Sequence, residues 1–106
     1  MSVVVATDAD FTSTLQTNRK VIVKYYADWC GSCKLFAPKY RRLSDDDRFT
    51  DIVFLDVNAE TSPDARQMAG VDNLPYFATF LDGKLFEGGA TAKEETVVSM
   101  LEKLSS

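Results

Sequence analysis

The amino-acid sequence predicts an α/β fold, a central mixed β-sheet flanked by helices, in the order β-α-β-α-β-α-β-β-α. Three observations carry that expectation. Short β-branched and aromatic runs alternate along the chain with segments of helical periodicity. One of those runs, Lys20 to Ala27, is apolar almost throughout, the pattern of a central strand covered on both faces. The last two runs are separated by Asp82-Gly83, a hairpin turn signal. With 106 residues, 45% of them hydrophobic, the chain has the size and apolar content of a single domain spanning residues 1–106.

Each element has its own warrant. Val3 to Ala6 is the first strand. Thr7 with Asp10 forms a capping-box variant ahead of a short helix whose apolar face is Phe11 and Leu15. The Lys20–Ala27 strand carries one charged interior residue, Lys24. The turn Cys30-Gly31-Ser32-Cys33 opens a second helix in which Leu35, Phe36, Tyr40 and Leu43 recur at helical spacing, and Pro38 is expected to kink it. Asp51 to Val57 alternates as a strand, placing Ile52, Phe54 and Asp56 on one face and Val53, Leu55 and Val57 on the other. Ser62-Pro63 reads as the N-cap and first position of a third helix, with Gly70 as its stop. Tyr76 to Leu81 and Lys84 to Glu87 are the hairpin strands, the second broken by Gly88-Gly89. A last helix is expected from Thr91, with Glu94 completing a capping box and Val97, Val98, Leu101 and Leu104 as its buried stripe. Strands joined through a helix are expected to run parallel and the hairpin antiparallel. Tyr25, Phe36, Phe54, Phe77 and Phe80 are read as core.

Charge narrows the partners. A formal net charge of −4 repels phosphate backbones and anionic membrane surfaces, so neither nucleic acid nor membrane is expected to bind. The start, MSVVVATDADF, is acidic where a secretory signal needs a basic flank, and its apolar run is too short for a signal core. The expectation is a cytoplasmic monomer in a reducing compartment, where a permanent structural disulfide is out of place.

The two cysteines then need another use. At the junction of a strand and a helix, the unpaired N–H groups and partial positive charge of the helix start stabilise the thiolate of the first cysteine. That makes Cys30 the nucleophile, expected at the exposed helix start, and Cys33 the resolving thiol within reach of its sulfur. A zinc site would need more ligands than two cysteines and no histidine supply in one chain, unless a dimer shared them. A disulfide closing so short a loop would constrain the unfolded chain little.

The stretch Tyr26-Ala27-Asp28-Trp29-Cys30-Gly31-Ser32-Cys33-Lys34, followed by Ala37-Pro38, closely resembles the active-site strand, loop and helix of the thioredoxin family. Asn73-Leu74-Pro75-Tyr76 resembles that family's cis-proline loop, Asp82-Gly83 its hairpin, and Gly89-Ala90 its glycine beside the active site, so the likeness runs over essentially the whole chain. The resemblance implies a thioredoxin fold and a protein-disulfide reductase, or dithiol electron carrier, working by thiol-disulfide exchange through Cys30 and Cys33. It implies a cis Leu74–Pro75 bond beside the dithiol, with Leu74 offering backbone groups to an extended substrate, and Trp29 flanking Cys30 to touch targets. Gly31, Leu74, Pro75 and Gly89 would form the apolar rim of a shallow groove. No cofactor would be bound. Electrons would come from NADPH through a flavin-dependent thioredoxin reductase, and the other partners would be disulfide-containing proteins. Two alternatives remain at this point: a disulfide oxidase or isomerase of the same fold, and a redox-inactive protein-binding module.

The sequence also departs from the family's usual pattern. Ser32 stands where proline is commonest, which makes Gly31-Ser32 a candidate for tuning the redox poise. Lys24 stands where a buried aspartate is usual, and Asp56 where a lysine commonly faces it, as if the pair were swapped. An unpaired interior charge is costly and a paired one survives, so each departure accounts for the other. With Lys24 behind the sulfurs, thiolates are favoured and the protein is expected to be a weaker reductant, leaving Asp56 as candidate relay for the proton of Cys33. The alternative is that Lys24 snorkels to the surface and Asp56 is solvated.

Overall fold

The elements of the computed structural model, which describes residues 3–106, are β1 (Val3–Val5), α1 (Phe11–Thr17), β2 (Lys20–Tyr26), α2 (Gly31–Ser44), a 3₁₀ turn (Asp47–Phe49), β3 (Val53–Asn58), α3 (Pro63–Ala69), β4 (Tyr76–Leu81), β5 (Lys84–Ala90) and α4 (Glu94–Ser105). The strands lie side by side in the order β1-β3-β2-β4-β5. The first three run parallel, β4 runs antiparallel to β2, and β5 antiparallel to β4. This is the mixed sheet of a thioredoxin fold. One expectation about direction fails here: β3 and β4 are joined through α3 and yet run opposite ways. Asn58, ending β3, pairs with Tyr26, while Tyr76, opening β4, pairs with Tyr25. The connection through α3 therefore leaves and re-enters the sheet at the same end, instead of crossing its full length as a parallel link must.

Alternation along β2 sorts the core into two layers. Val21, Val23 and Tyr25 join Leu55, Val57, Ala78 and Phe80 against Phe11 and Leu15 of α1 and Ala65 and Ala69 of α3. On the opposite face Ile22, Phe54 and Phe77 meet Phe36, Tyr40 and Leu43 of α2 and Val97, Met100, Leu101 and Leu104 of α4. Leu35 does not belong to this stripe. It is 76% exposed, because at ~100° per residue it is turned away from the buried line of Phe36, Tyr40 and Leu43. The helix itself continues unbroken across Pro38.

Ahead of α1 the Asp10 carboxylate accepts the Thr7 N–H at 2.8 Å while the Thr7 hydroxyl accepts the Ala9 N–H at 3.3 Å. Ser62 precedes α3 without capping it through its side chain. Instead the Asp8 carboxylate, from the loop after β1, accepts the N–H groups of Asp64 and Ala65 at 3.1 and 2.8 Å. Gly70 ends α3 in the left-handed region, at φ 65°. The last helix starts at Glu94, not at Thr91. Residues before it are committed elsewhere: the Thr91 N–H donates to the Pro75 carbonyl at 3.1 Å and its hydroxyl accepts the Lys93 N–H at 3.1 Å. Nor do Gly88 and Gly89 break β5, since they pair with Ala78 and Phe77. Gly88 has a steric reason to be glycine: a Cβ there would lie 2.7 Å from the Tyr76 hydroxyl oxygen.

Candidate active site

β2 ends at Tyr26, and the chain turns through Ala27, Asp28 and Trp29 to place Cys30 as the N-cap of α2. The turn is closed by the Cys30 N–H donating to the Ala27 carbonyl at 3.1 Å. Three residues on, Cys33 is brought back so that its N–H donates to the Cys30 sulfur at 3.2 Å, and the two cysteines form a disulfide with their Cα atoms 5.3 Å apart. The helix start thus directs a backbone N–H at the first sulfur, the environment that favours a thiolate there. The expectation of an exposed Cys30 is corrected: it is 4% exposed against 3% for Cys33. In the disulfide each sulfur shields the other, and both pack with Ala27 beneath partly buried Tyr26 and Leu74.

In front of the disulfide lies a shallow groove walled by Ser32, Asn73, Leu74, Pro75, Ala90 and Thr91. The Leu74–Pro75 bond is cis. Of the two backbone groups of Leu74, the N–H is already engaged by the Asn73 side-chain oxygen at 2.9 Å. Gly31 and Gly89, expected on the rim, are absent from the groove wall: Gly31 is exposed on the first turn of α2 and Gly89 sits within β5, so Ser32 and residues 90–92 take their place. Ser32 contributes more than the absence of proline, because its hydroxyl oxygen is 3.6 Å from the Cys30 sulfur. Trp29 is 68% exposed, with its indole N–H donating to the Glu60 carboxylate at 2.7 Å. No local pattern singles out Glu60, which reaches this site from the loop after β3.

Behind the disulfide the swapped charges meet. Lys24 and Asp56 are register partners on neighbouring parallel strands, and the ammonium nitrogen lies 3.3 Å from Asp56 Oδ1. Lys24 does not snorkel: its side chain is 4% exposed, against 25% for Asp56. The ammonium lies 5.2 Å from the ring centre of Tyr40 and 5.9 Å from that of Tyr26, within the range of cation–π attraction. Tyr40 is pinned beneath it by a hydroxyl shared between the Ile22 and Leu55 carbonyls, at 3.1 and 2.9 Å. The helical stripe marks Tyr40 as core and conceals this second use. Cys33, Lys24, Tyr26, Lys34 and Asp56 together wall a cavity, so both swapped charges reach the space behind the second sulfur. Burial pushes the Asp56 carboxyl above the usual carboxylate range, against the opposing pull of Lys24 and, more weakly, Arg41.

A dithiol with these neighbours can accept and donate two electrons by exchange with another disulfide. Comparison with known proteins agrees. A family model described as Thioredoxin matches residues 2–103. Protein disulfide isomerase-like 1-4 of Arabidopsis thaliana is 32% identical over 103 residues, covering 95% of this chain and 17% of that protein. Thioredoxin F1, chloroplastic, of the same plant is 35% identical over 88 residues, covering 81% of this chain and 48% of that one. The chain therefore spans about a sixth and about half of these relatives' lengths. Among solved structures, a complex of ferredoxin:thioredoxin reductase with thioredoxin f2 contains a chain of TM-score 0.90 and 26% identity, covering 99% of this chain and 96% of that one.

Proposed function

This chain belongs to the thioredoxin family, and we propose that it reduces disulfides in other proteins through the Cys30–Cys33 dithiol. The observation that carries the proposal is the placement of a disulfide-forming pair at the start of α2, beside the cis-proline groove. In the cycle the Cys30 thiolate attacks one sulfur of a target disulfide and expels the other as a thiolate. Cys33, deprotonated, then attacks the Cys30 sulfur, breaks the mixed disulfide and releases the second target thiolate, which takes a proton. Two electrons pass to the target and the Cys30–Cys33 disulfide remains. The groove suits an extended peptide recognised by its backbone, with Leu74 and Pro75 beneath it and Trp29 at its edge. Lys24 favours the Cys33 thiolate through the cavity behind it, and Asp56 is the group placed to take that proton.

Re-reduction needs an electron donor. The flavin-dependent, NADPH-linked reductase is the proposed one, and the complex of a related thioredoxin f2 with ferredoxin:thioredoxin reductase supports a ferredoxin-linked reductase as the second reading. The proposed place of work is the cytoplasm, where thiols are kept reduced and a reductant of this kind can be recycled.

The test is reduction of insulin with dithiothreitol as electron source. Wild type is expected to catalyse it, Cys30→Ser to lose at least about a thousandfold in rate, and Cys33→Ser to accumulate a mixed disulfide with the target. Equal rates for wild type and Cys30→Ser would favour a redox-inactive binding module instead. Preferential oxidation of reduced, unfolded substrates by the disulfide form would favour the oxidase or isomerase.

A further inference from the structure

The outer face of α2 carries a charge pattern opposite to that of the whole molecule. Cys33, Phe36, Tyr40 and Leu43 face the core, so the outward line one half-turn away is Gly31, Leu35, Pro38 and Arg42. Lys34 and Arg41 flank that line on one side and Lys39 on the other. The helix thus bears four cations and no acid, in a chain whose net charge is −4. Leu35, at 76% exposure, stands uncovered among them. The ion pairs of the described residues engage Arg19, Lys20, Lys24, Arg48 and Lys103, and none of these four cations. Beyond the far end of the helix, Asp46 is bound to Arg48 at 2.9 Å.

We propose that this face docks target proteins whose reducible disulfide is flanked by acidic side chains, a specificity that rests on the reductase function above. Its position fits. The stripe extends about 18 Å along the helix from Cys30, comparable to the radius of a standard interface patch of roughly 800 Å² per partner. Leu35 supplies a central apolar contact and the surrounding cations meet carboxylates, so the attraction acts before the sulfurs meet and raises the rate of productive encounter. The occupant is a protein rather than nucleic acid, because the patch is one helix wide and the acidic remainder of the surface repels a long polyanion.

Three disulfide-cyclised peptides, identical except for Glu, Ser or Lys on both sides of the cystine, decide the matter by stopped-flow reduction with the pre-reduced protein. At low salt the wild type is expected to reduce the Glu peptide about tenfold faster than the Lys peptide, with the difference collapsing at about 1 M salt, where the Debye length is roughly 3 Å. The double variant Lys39→Glu with Arg42→Glu should reverse the order and leave the Ser peptide unchanged, while Lys39→Arg with Arg42→Lys should behave as wild type. Net charge acting alone would favour the Lys peptide, and that result, or equal and salt-independent rates, would overturn the proposal. No reduction of the Ser peptide by the wild type would overturn the reductase function itself.

Discussion

The two sides of the disulfide are built on different principles. In front, the groove is made of a cis-proline loop, a hydroxyl and small side chains, with no charged side chain in its wall. Behind, an ammonium and a carboxylate stand 3.3 Å apart over an aromatic ring, in a cavity that Cys33 closes. A neutral wall of this kind discriminates weakly among side chains. The back can shift the balance between thiol and thiolate because charges act strongly where water is scarce. On the proposed function, recognition would fall to the front and redox poise mainly to the back, with Ser32 shared between them.

The largest expected effect probes the back wall. Since burial raises Asp56 above its unfolded value, the folded state holds that proton more tightly than the unfolded chain does. The stability it brings is present below the unfolded carboxylate range and is lost as pH rises through the raised value. Lys24→Met removes the opposing charge and deepens that loss. The variant should be less stable than wild type by about 3 kcal/mol near pH 8, with the gap closing as pH falls towards about 4. Asp56→Asn should flatten this part of the profile. Denaturant midpoints across that pH range measure both, and a gap that stays constant with pH would detach the effect of Lys24 from the charge of Asp56.

A smaller effect probes the front. Tyr76 follows the cis-proline and its hydroxyl donates to the Ala69 carbonyl at 3.0 Å, with Gly88 packed on that hydroxyl. Gly88→Ala forces the ring to move and strains this hydrogen bond, for an expected loss of about 1–2 kcal/mol in stability. If the two sides are independent, the redox potential of that variant equals that of wild type in a glutathione buffer. A large shift would show that the scaffold of the groove also sets the poise.

The smallest effect lies where the two sides meet. The Ser32 hydroxyl, 3.6 Å from the Cys30 sulfur, can donate to the thiolate and so stabilise the reduced form. Removing a hydrogen bond worth about 1 kcal/mol by Ser32→Ala should make the potential more negative by about 20 mV. An unchanged potential would confine Ser32 to the groove wall.

Much of this was legible from residues close together in the chain. The periods along β2, α2 and β4 place Tyr25, Phe36 and Phe77 in the core, and the short spacing of the cysteines makes their bond geometrically available. Lys24 and Asp56 could be proposed as partners because each stands where the resembled family usually carries the opposite charge, and two buried charges need each other. What escaped depends on which distant segments meet. Asp8 caps α3 and Glu60 holds Trp29 only because the loops after β1 and β3 arrive there. Tyr40 lies beneath Lys24 because α2 packs on the sheet face that Ile22 and Lys24 share. Thr91 fails to start α4 because its N–H is claimed by Pro75, and β4 reverses because the link through α3 returns to the end of the sheet it left. Side-chain periodicity and capping are relations among neighbours, so the sequence by itself determined the elements, their buried faces and the dithiol. Strand direction, the second partners of polar groups and the charge surrounding each sulfur are relations among elements, and only tertiary packing decided them.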